Sequence, residues 1–306
     1  MRQIGEKQHV AVLPADKSIR IAGGRLGILL IHGLGGTPTE MLYVARGLAR
    51  DGHTVHVPQL DGHCGSLEDL KATSWQHWYA TVEAEHRRLR EVCDTVVVGG
   101  LSMGAVLAVH HAAQHPKDVS GMVLYAPCFW LDGWSMPWYA SLLSLFTQRW
   151  FADLFAFAER EPWGIKELRT RAMVKQAIDS GDSSQAGIAA LPGRQMLELR
   201  RLIKEVKQEL SKARQPALVI HPREDDHASL RNLEFLQVHL EGPTEAVVLD
   251  DCYHIITLDQ QRQLVVNRTA RFLSKLRRPE TSIYRKVDSE WPGSVGSVNA
   301  IGHFSL

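Results

Sequence analysis

The sequence predicts an α/β fold with a mainly parallel sheet covered by helices on both faces. Three observations predict it. Short apolar runs at 26–31, 54–57, 95–99, 120–125, 217–220 and 244–249 recur with helical stretches between them, the alternation of a sheet whose strands are buried on both sides. The chain's 306 residues are enough for one large core domain, or for a core that carries an insertion. One strand-to-helix junction, Gly100-Leu101-Ser102-Met103-Gly104, has glycine two before and two after a serine; a sharp turn there leaves no room for larger side chains.

Runs 9–13 and 19–22 read as an opening pair of strands, and 26–31 as a fully buried strand. Residues 39–50 read as a helix that starts after Pro38 and ends near Gly52. The strand 54–57 follows, then a helix over 74–92 with Ser74 as its cap, the strand 95–99, the small-residue helix 105–113 and the strand 120–125. From Cys128 the alternation stops, resuming only at Pro216-Ala217-Leu218-Val219-Ile220, a gap too long for a structureless loop in a compact domain. Residues 128–212 are therefore expected to fold as a helical insertion, with 1–127 and 213–278 forming the core. Its first half is dense in aromatics (Phe129, Trp130, Trp134, Trp138, Tyr139, Phe146, Trp150, Phe151, Phe155, Phe157, Trp163) and its second half, 166–212, is helical and charged. An apolar cap over a binding cleft has this composition. Most of these rings serve packing, while Phe129, Trp130 and Trp134 are taken to face a ligand. After Pro216 the pattern is strand, acidic loop 223–226, helix 228–240, strand 244–249, loop 250–255 and helix 259–276. The remainder, 279–306, lacks periodicity and reads as an extension, loosely ordered or docked on a neighbour.

The composition, 44% hydrophobic and 23% charged, is that of an ordinary globular protein. Lys plus Arg (35) and Asp plus Glu (34) nearly cancel, so no global field points to nucleic acid or an anionic membrane, and a small neutral substrate fits better. Cys64, Cys93, Cys128 and Cys252 are scattered, without the close pairs of a zinc site or redox dithiol, and read as reduced thiols. The first nine residues are polar, unlike a signal peptide, and 26–31 is too short to span a bilayer; a cytoplasmic protein with no stable membrane insertion is expected. His110, His111 and His115 share one helix and read as solvated surface residues. No metal or cofactor is called for.

A serine hydroxyl is a poor nucleophile at neutral pH. It needs a base within hydrogen-bond reach, and the base needs a carboxylate to fix its tautomer and stabilise its charge. Where a serine sits on such an elbow, acid and histidine follow in that order, each on a loop after a strand at one sheet edge. Asp225 follows the strand 217–220 and His254 follows the strand 244–249. Two backbone N–H groups must face the oxyanion, one from the residue after the serine and one from the loop after an earlier strand. Met103 supplies the first; His32-Gly33-Leu34-Gly35-Gly36, after the strand 26–31, supplies the second through Leu34, with Gly33 beside the substrate. A phosphate cradle is the other use of such glycines, but the three-glycine dinucleotide fingerprint and its downstream acid are missing.

Ile31-His32-Gly33-Leu34-Gly35-Gly36, Gly62-His63-Cys64-Gly65, Gly100-Leu101-Ser102-Met103-Gly104, Arg223-Glu224-Asp225 and His254-Ile255-Ile256-Thr257-Leu258-Asp259 together resemble the α/β-hydrolase superfamily, and more narrowly the small bacterial carboxylesterases related to monoacylglycerol lipases. The resemblance covers about residues 26–277. It implies an eight-stranded, mostly parallel sheet, a cap inserted after the sixth strand, and ester hydrolysis through an acyl-enzyme, with Ser102 as nucleophile, Asp225 as acid, His254 as base, and Leu34 and Met103 as oxyanion donors. Asp226 is the neighbouring candidate for the acid; Asp225 stands where the family's acid stands, leaving Asp226 to cap the following helix. Tyr253 replaces the glycine common before the family's histidine, which narrows the approach to His254. The cap is longer and richer in tryptophan than in the smallest members, and 279–306 has no counterpart. The expected activity is a serine carboxylesterase acting on a small apolar ester. The same triad serves an amidase, thioesterase, lactonase or acyltransferase, and a hydrolase-fold receptor is the non-catalytic alternative. A homodimer through the cap or the C-terminal extension is an arrangement the sequence allows.

Overall fold

Parallel strands that are apolar on both sides must be covered twice, and the chain does so with helices on each face of one twisted sheet. The computed structural model describes residues 16–136, 152, 155–158, 161–179, 187 and 190–276. The run 9–13, the rings of Trp138, Tyr139, Phe146, Trp150 and Phe151, and the extension 279–306 lie outside the described residues. The first half comprises β1 (Ile19–Ile21), β2 (Leu26–Ile31), α1 (Leu42–Arg50), β3 (Thr54–Val57), α2 (Leu67–Lys71), α3 (Trp75–Val92), β4 (Thr95–Leu101), α4 (Met103–Gln114) and β5 (Val119–Tyr125). Then come β6 (Ala156–Ala158), α5 (Leu168–Asp179), β7 (Ala190–Pro192), α6 (Gly193–Glu209), β8 (Ala217–Pro222), α7 (Arg231–His239), β9 (Thr244–Leu249) and α8 (Arg262–Leu276).

Among the described residues the main sheet has seven strands in the order β1-β3-β2-β4-β5-β8-β9. All neighbours are parallel except β1, which runs antiparallel to β3. The eighth strand expected at 9–13 falls outside the description. The chain leaves the sheet after β5 and returns at β8. On that excursion, β6 and β7 pair antiparallel as a separate ribbon, with Ala156 opposite Pro192. Neither strand is legible in the sequence, since three-residue strands carry no period.

Alternate residues of each central strand serve opposite faces. Leu29, Ile31, Val96, Val98, Met122, Leu124 and Val219 pack with α3, α4, α6 and α7. Ile28, Leu30, Val97, Val123, Leu218 and Ile220 pack with α1 and α8. The register sets Ile31 beside Gly100, Leu101 beside Tyr125 and Pro222 beside Leu249, so the loops after β2, β4, β8 and β9 leave from one edge. Ser74 is the N-cap of α3, as expected, and its N–H donates to His77 Nδ1 at 3.2 Å. No described helix is long and apolar enough to cross a membrane.

The histidines of α4 are not solvated. His110 and His111 are buried, because α3 and α6 cover the outer side of α4 and leave it no solvent face. His111 sits between His86, edge-on, and His115, with ring centroids 4.5 and 4.4 Å away, and neither of its ring nitrogens has a hydrogen-bond partner among the described residues. Burial, then the neighbouring histidines, push His111 down to about 2; burial, then His115, pushes His86 down to about 4. Both rings are therefore neutral in the folded protein, while the unfolded chain takes up protons as pH falls through about 6.5. Stability is fully present above that value and is lost as pH falls towards 4. Denaturant melts should show a loss on the order of 2 kcal/mol from His111 alone between pH 7 and pH 5, and His111→Leu should flatten the dependence; equal midpoints at the two pH values would contradict this.

Candidate active site

Ser102 occupies the single-residue turn between β4 and α4 at φ 57° and ψ −117°, a region L-residues avoid at a cost of about 1–3 kcal/mol. Two close approaches hold it there. A Cβ at Gly104 would overlap the carbonyl oxygens of Ile31 and His32, and one at Gly100 would lie 2.5 Å from the Ile31 oxygen. The turn is thus pressed on the end of β2. Ser102 N–H donates to Tyr125 O at 2.9 Å, anchoring the other side on β5.

His254 Nε2 lies 2.8 Å from Ser102 Oγ, and its Nδ1 lies 2.9 and 3.0 Å from the two oxygens of Asp225. Asp225 is buried, and its Oδ1 also accepts the N–H groups of His227 and Ala228, both at 2.8 Å. Burial alone would raise its pKa; His254, His221 and the Ala228 N–H outweigh that and hold the carboxyl below the usual range. Burial alone would lower the pKa of His254, but the charge and hydrogen bond of Asp225, followed by the charges of Asp226 and Glu40, raise it above its ordinary 6.5. The three residues named from the sequence are therefore joined in one hydrogen-bonded chain.

The glycine loop after β2 is fixed from inside. His32 is buried; burial, the nearby His63 and the Gly33 carbonyl together place its pKa at about 3, so its ring is neutral. Its Nδ1 lies 2.9 Å from Gly33 O, and its Nε2 accepts from Leu60 N–H at 3.2 Å. Glu40 Oε2 accepts the Gly33 N–H at 3.0 Å; burial raises the Glu40 carboxyl to about 7. The Gly33 amide is thus engaged by the protein itself, while the amides of Leu34 and Met103 donate to no acceptor among the described residues. Gly35 takes the left-handed conformation, φ 72°, where a Cβ would collide with Leu191 of β7.

The aromatic residues expected at the substrate are engaged with other partners. Phe129 is buried against Phe235 with centroids 5.2 Å apart. The Trp130 ring lies under Lys207 Nζ at 3.5 Å and Arg231 at 4.3 Å. Trp134 is 60% exposed, stacks edge-on with Tyr253 at 5.5 Å and donates from its indole to Glu224 O. Asp226 also departs from expectation. Asp225 already takes the N–H groups after the turn and α7 begins only at Arg231, so Asp226 caps nothing; its carboxylate accepts from His254 N at 3.2 Å and Gly164 N at 3.1 Å. Glu40, His221 and Asp259 were not singled out from the sequence. Only Asp259 carried a signal, as the last residue of the motif that begins at His254.

A doubly wound sheet with a serine on a strained strand-to-helix turn, joined to a histidine and an aspartate on later loops of the same edge, defines an α/β-hydrolase fold. The chain belongs to the Hydrolase_4 family, described as serine aminopeptidase, S33, whose model matches residues 25–261. It is 28% identical over 269 residues to the thermostable monoacylglycerol lipase of Bacillus sp. (strain H-257), covering 88% of this chain and 98% of that protein. It is 24% identical over 263 residues to a carboxylesterase of Bacillus subtilis (strain 168), covering 85% and 97% respectively. A solved structure from the metagenome-derived lipolytic enzymes LipS and LipT superposes with a TM-score of 0.71 at 28% identity, covering 86% of this chain and 99% of that one. The protein is a serine hydrolase of the lipase and esterase type.

The electrostatics of the histidine can be measured directly. A histidine NMR titration should place His254 above 6.5, and Asp225→Asn should lower it, because the largest charge favouring the imidazolium is gone. A midpoint below 6.5 in the unaltered protein would contradict the arrangement.

Proposed function

We propose that the protein is a serine carboxylesterase that hydrolyses short- to medium-chain carboxylic esters, monoacylglycerol-like ones included, through an acyl-enzyme on Ser102. The observation that carries this reading is the continuous chain Asp225–His254–Ser102, together with the Leu34 and Met103 amides, which have no acceptor among the described residues. His254 Nε2 takes the Ser102 proton as Oγ attacks the ester carbonyl, and the amides of Leu34 and Met103 receive the oxyanion. The tetrahedral intermediate collapses as His254 returns the proton to the departing alcohol. Water, deprotonated by the same nitrogen, then attacks the acyl-enzyme and releases the acid. Asp225 remains ionised throughout and stabilises the imidazolium.

Residues 128–212 act in this reading as a cap whose apolar side chains favour an uncharged acyl or alcohol group. The relatives named as lipase and carboxylesterase support an ester, and the nearly balanced charge of the chain supports a neutral substrate. The family description names an aminopeptidase, so amide hydrolysis is the second reading. Matched ester and amide substrates across a series of acyl lengths separate the two, and a preference for the amide would displace the esterase.

Ser102→Ala should lower turnover of a chromogenic ester at least about a thousandfold and abolish labelling by a fluorophosphonate. The base must be neutral to act, so kcat/KM should rise with pH through the raised pKa of His254, inflecting above 6.5. Turnover surviving the serine substitution would remove the acyl-enzyme from the mechanism.

A further inference from the structure

The loop that carries His254 is fastened to a segment of the excursion between β5 and β8, and two buried carboxylates do the fastening. Asp226 and Asp259 are both almost wholly inaccessible. Asp226 Oδ1 accepts the backbone N–H of His254 while its Oδ2 accepts that of Gly164. Asp259 repeats the pattern one step away: its Oδ2 accepts Tyr253 N at 2.8 Å and Lys166 N at 2.9 Å, and its Oδ1 accepts Glu167 N at 2.8 Å. Ile255 N donates to Gly164 O at 2.8 Å between them. Outside this row of backbone bonds, Lys166 Nζ pairs with Glu224 at 2.7 Å and Asp251 at 3.0 Å. Residues 164–167 therefore lie along the base loop as a strut.

Resting on the proposed role of His254 as base, we propose that Asp226 is a positioning residue that couples residues 164–167 to the base, fixing the backbone of His254 while Asp225 fixes its ring. The alternative is that Asp226 only satisfies two buried amides, which any acceptor could do. Two features favour the stronger role. Each Asp226 oxygen serves one side of the seam, so the carboxylate cannot shift towards one partner without weakening its bond to the other. Gly164 is in the left-handed conformation, φ 70°, where a Cβ would stand 2.9 Å from Ile255 Cγ1 and 3.2 Å from His254 Cβ, so the strut fits the base without slack.

The titratable groups around His254 are Asp225, Asp226, Glu40, His227 and His221. Of the carboxylates, Asp226 is the one whose removal leaves both the triad and the glycine loop chemically intact. Asp226→Asn keeps the shape but sets an NH2 against one of the two N–H groups. The expected result is a fall in kcat of about ten- to hundredfold, the scale of a small misplacement of a catalytic group, with KM within about twofold. The inflection of the pH profile should also move to lower pH, since a negative charge that raises the pKa of His254 has gone; that shift follows from charge alone, whereas the fall in kcat on the high-pH plateau is what a role confined to folding would not produce. Gly164→Ala displaces the strut while keeping the charge, so it should lower kcat with the inflection unmoved. It also decides the question if Asp226→Asn does not fold. Asp226→Asn with unchanged plateau kcat, whatever its inflection or melting temperature, overturns the proposal, as does unchanged kcat in folded Gly164→Ala. Ser102→Ala is run alongside. If it is inactive while Asp226→Asn behaves as the unaltered enzyme, only this inference falls; if it remains active, the base assignment and this inference fall together.

Discussion

The close approach of the serine turn to the end of β2 is the constraint on which the site depends. Gly100 and Gly104 let the backbone of β4 and α4 touch the Ile31 and His32 carbonyls, and that contact leaves Ser102 no relaxed conformation. A strain of about 1–3 kcal/mol persists only where the surroundings over-determine it. Here they do: β4 lies between β2 and β5, and nearly every residue of α4 is buried. The same contact aligns the glycine loop with the Met103 amide, because both leave the sheet from paired strand ends. A half-buried serine held in one fixed conformation is the consequence of packing the turn too tightly for any side chain at Gly100 or Gly104.

Around that fixed point the adjacent carboxylates Asp225 and Asp226 do different work because of where their oxygens point. Asp225 faces the His254 ring and is itself held by N–H groups from its own loop. Asp226 faces the His254 backbone and a different part of the chain. One sets the tautomer and charge of the imidazole, and the other bonds the backbone that carries it. Sequence adjacency gives no means of separating them, since both are acids on a loop after a buried strand.

What the sequence makes legible is what local chemistry determines. The strands β2, β3 and β9 end where their apolar runs end, and the order of serine, aspartate and histidine follows from three strand-to-loop junctions. The strand before the serine runs two residues beyond its apolar run, to Leu101, because Gly100 and Leu101 still pair with Leu124 and Tyr125; glycines in a strand give no local signal of pairing. The histidines of α4 misled for a tertiary reason, since their burial is decided by α3 and α6, far away in the chain. Phe129, Trp130 and Trp134 show how little an aromatic ring says by itself: it reports that something will be covered, not which surface. The Glu40 carboxylate, seven residues beyond the amide it accepts, is invisible until the glycine loop folds around it.

The excursion between β5 and β8 supplies none of the triad, yet among the described residues it touches the machinery at three places. Gly133 N donates to His227 O at 2.9 Å and Ser135 N to Asp226 O at 3.0 Å, on the loop of the acid. Residues 164–167 run along the base loop, and Gly187 and Leu191 press on Gly35 in the loop that presents the Leu34 amide. The serine turn is pressed on the end of β2 and bonded to β5. The nucleophile is thus placed by the sheet, while the acid loop, the histidine backbone and the glycine loop each owe part of their placement to the excursion. The three chemical residues and the glycine loop can therefore be kept while the excursion changes, but the excursion cannot move freely at 133–135, at 164–167 or at Gly187 and Leu191 without moving a catalytic loop with it. Changes that alter the substrate without disturbing catalysis are for that reason confined, among the described residues, to side chains that meet none of these contacts.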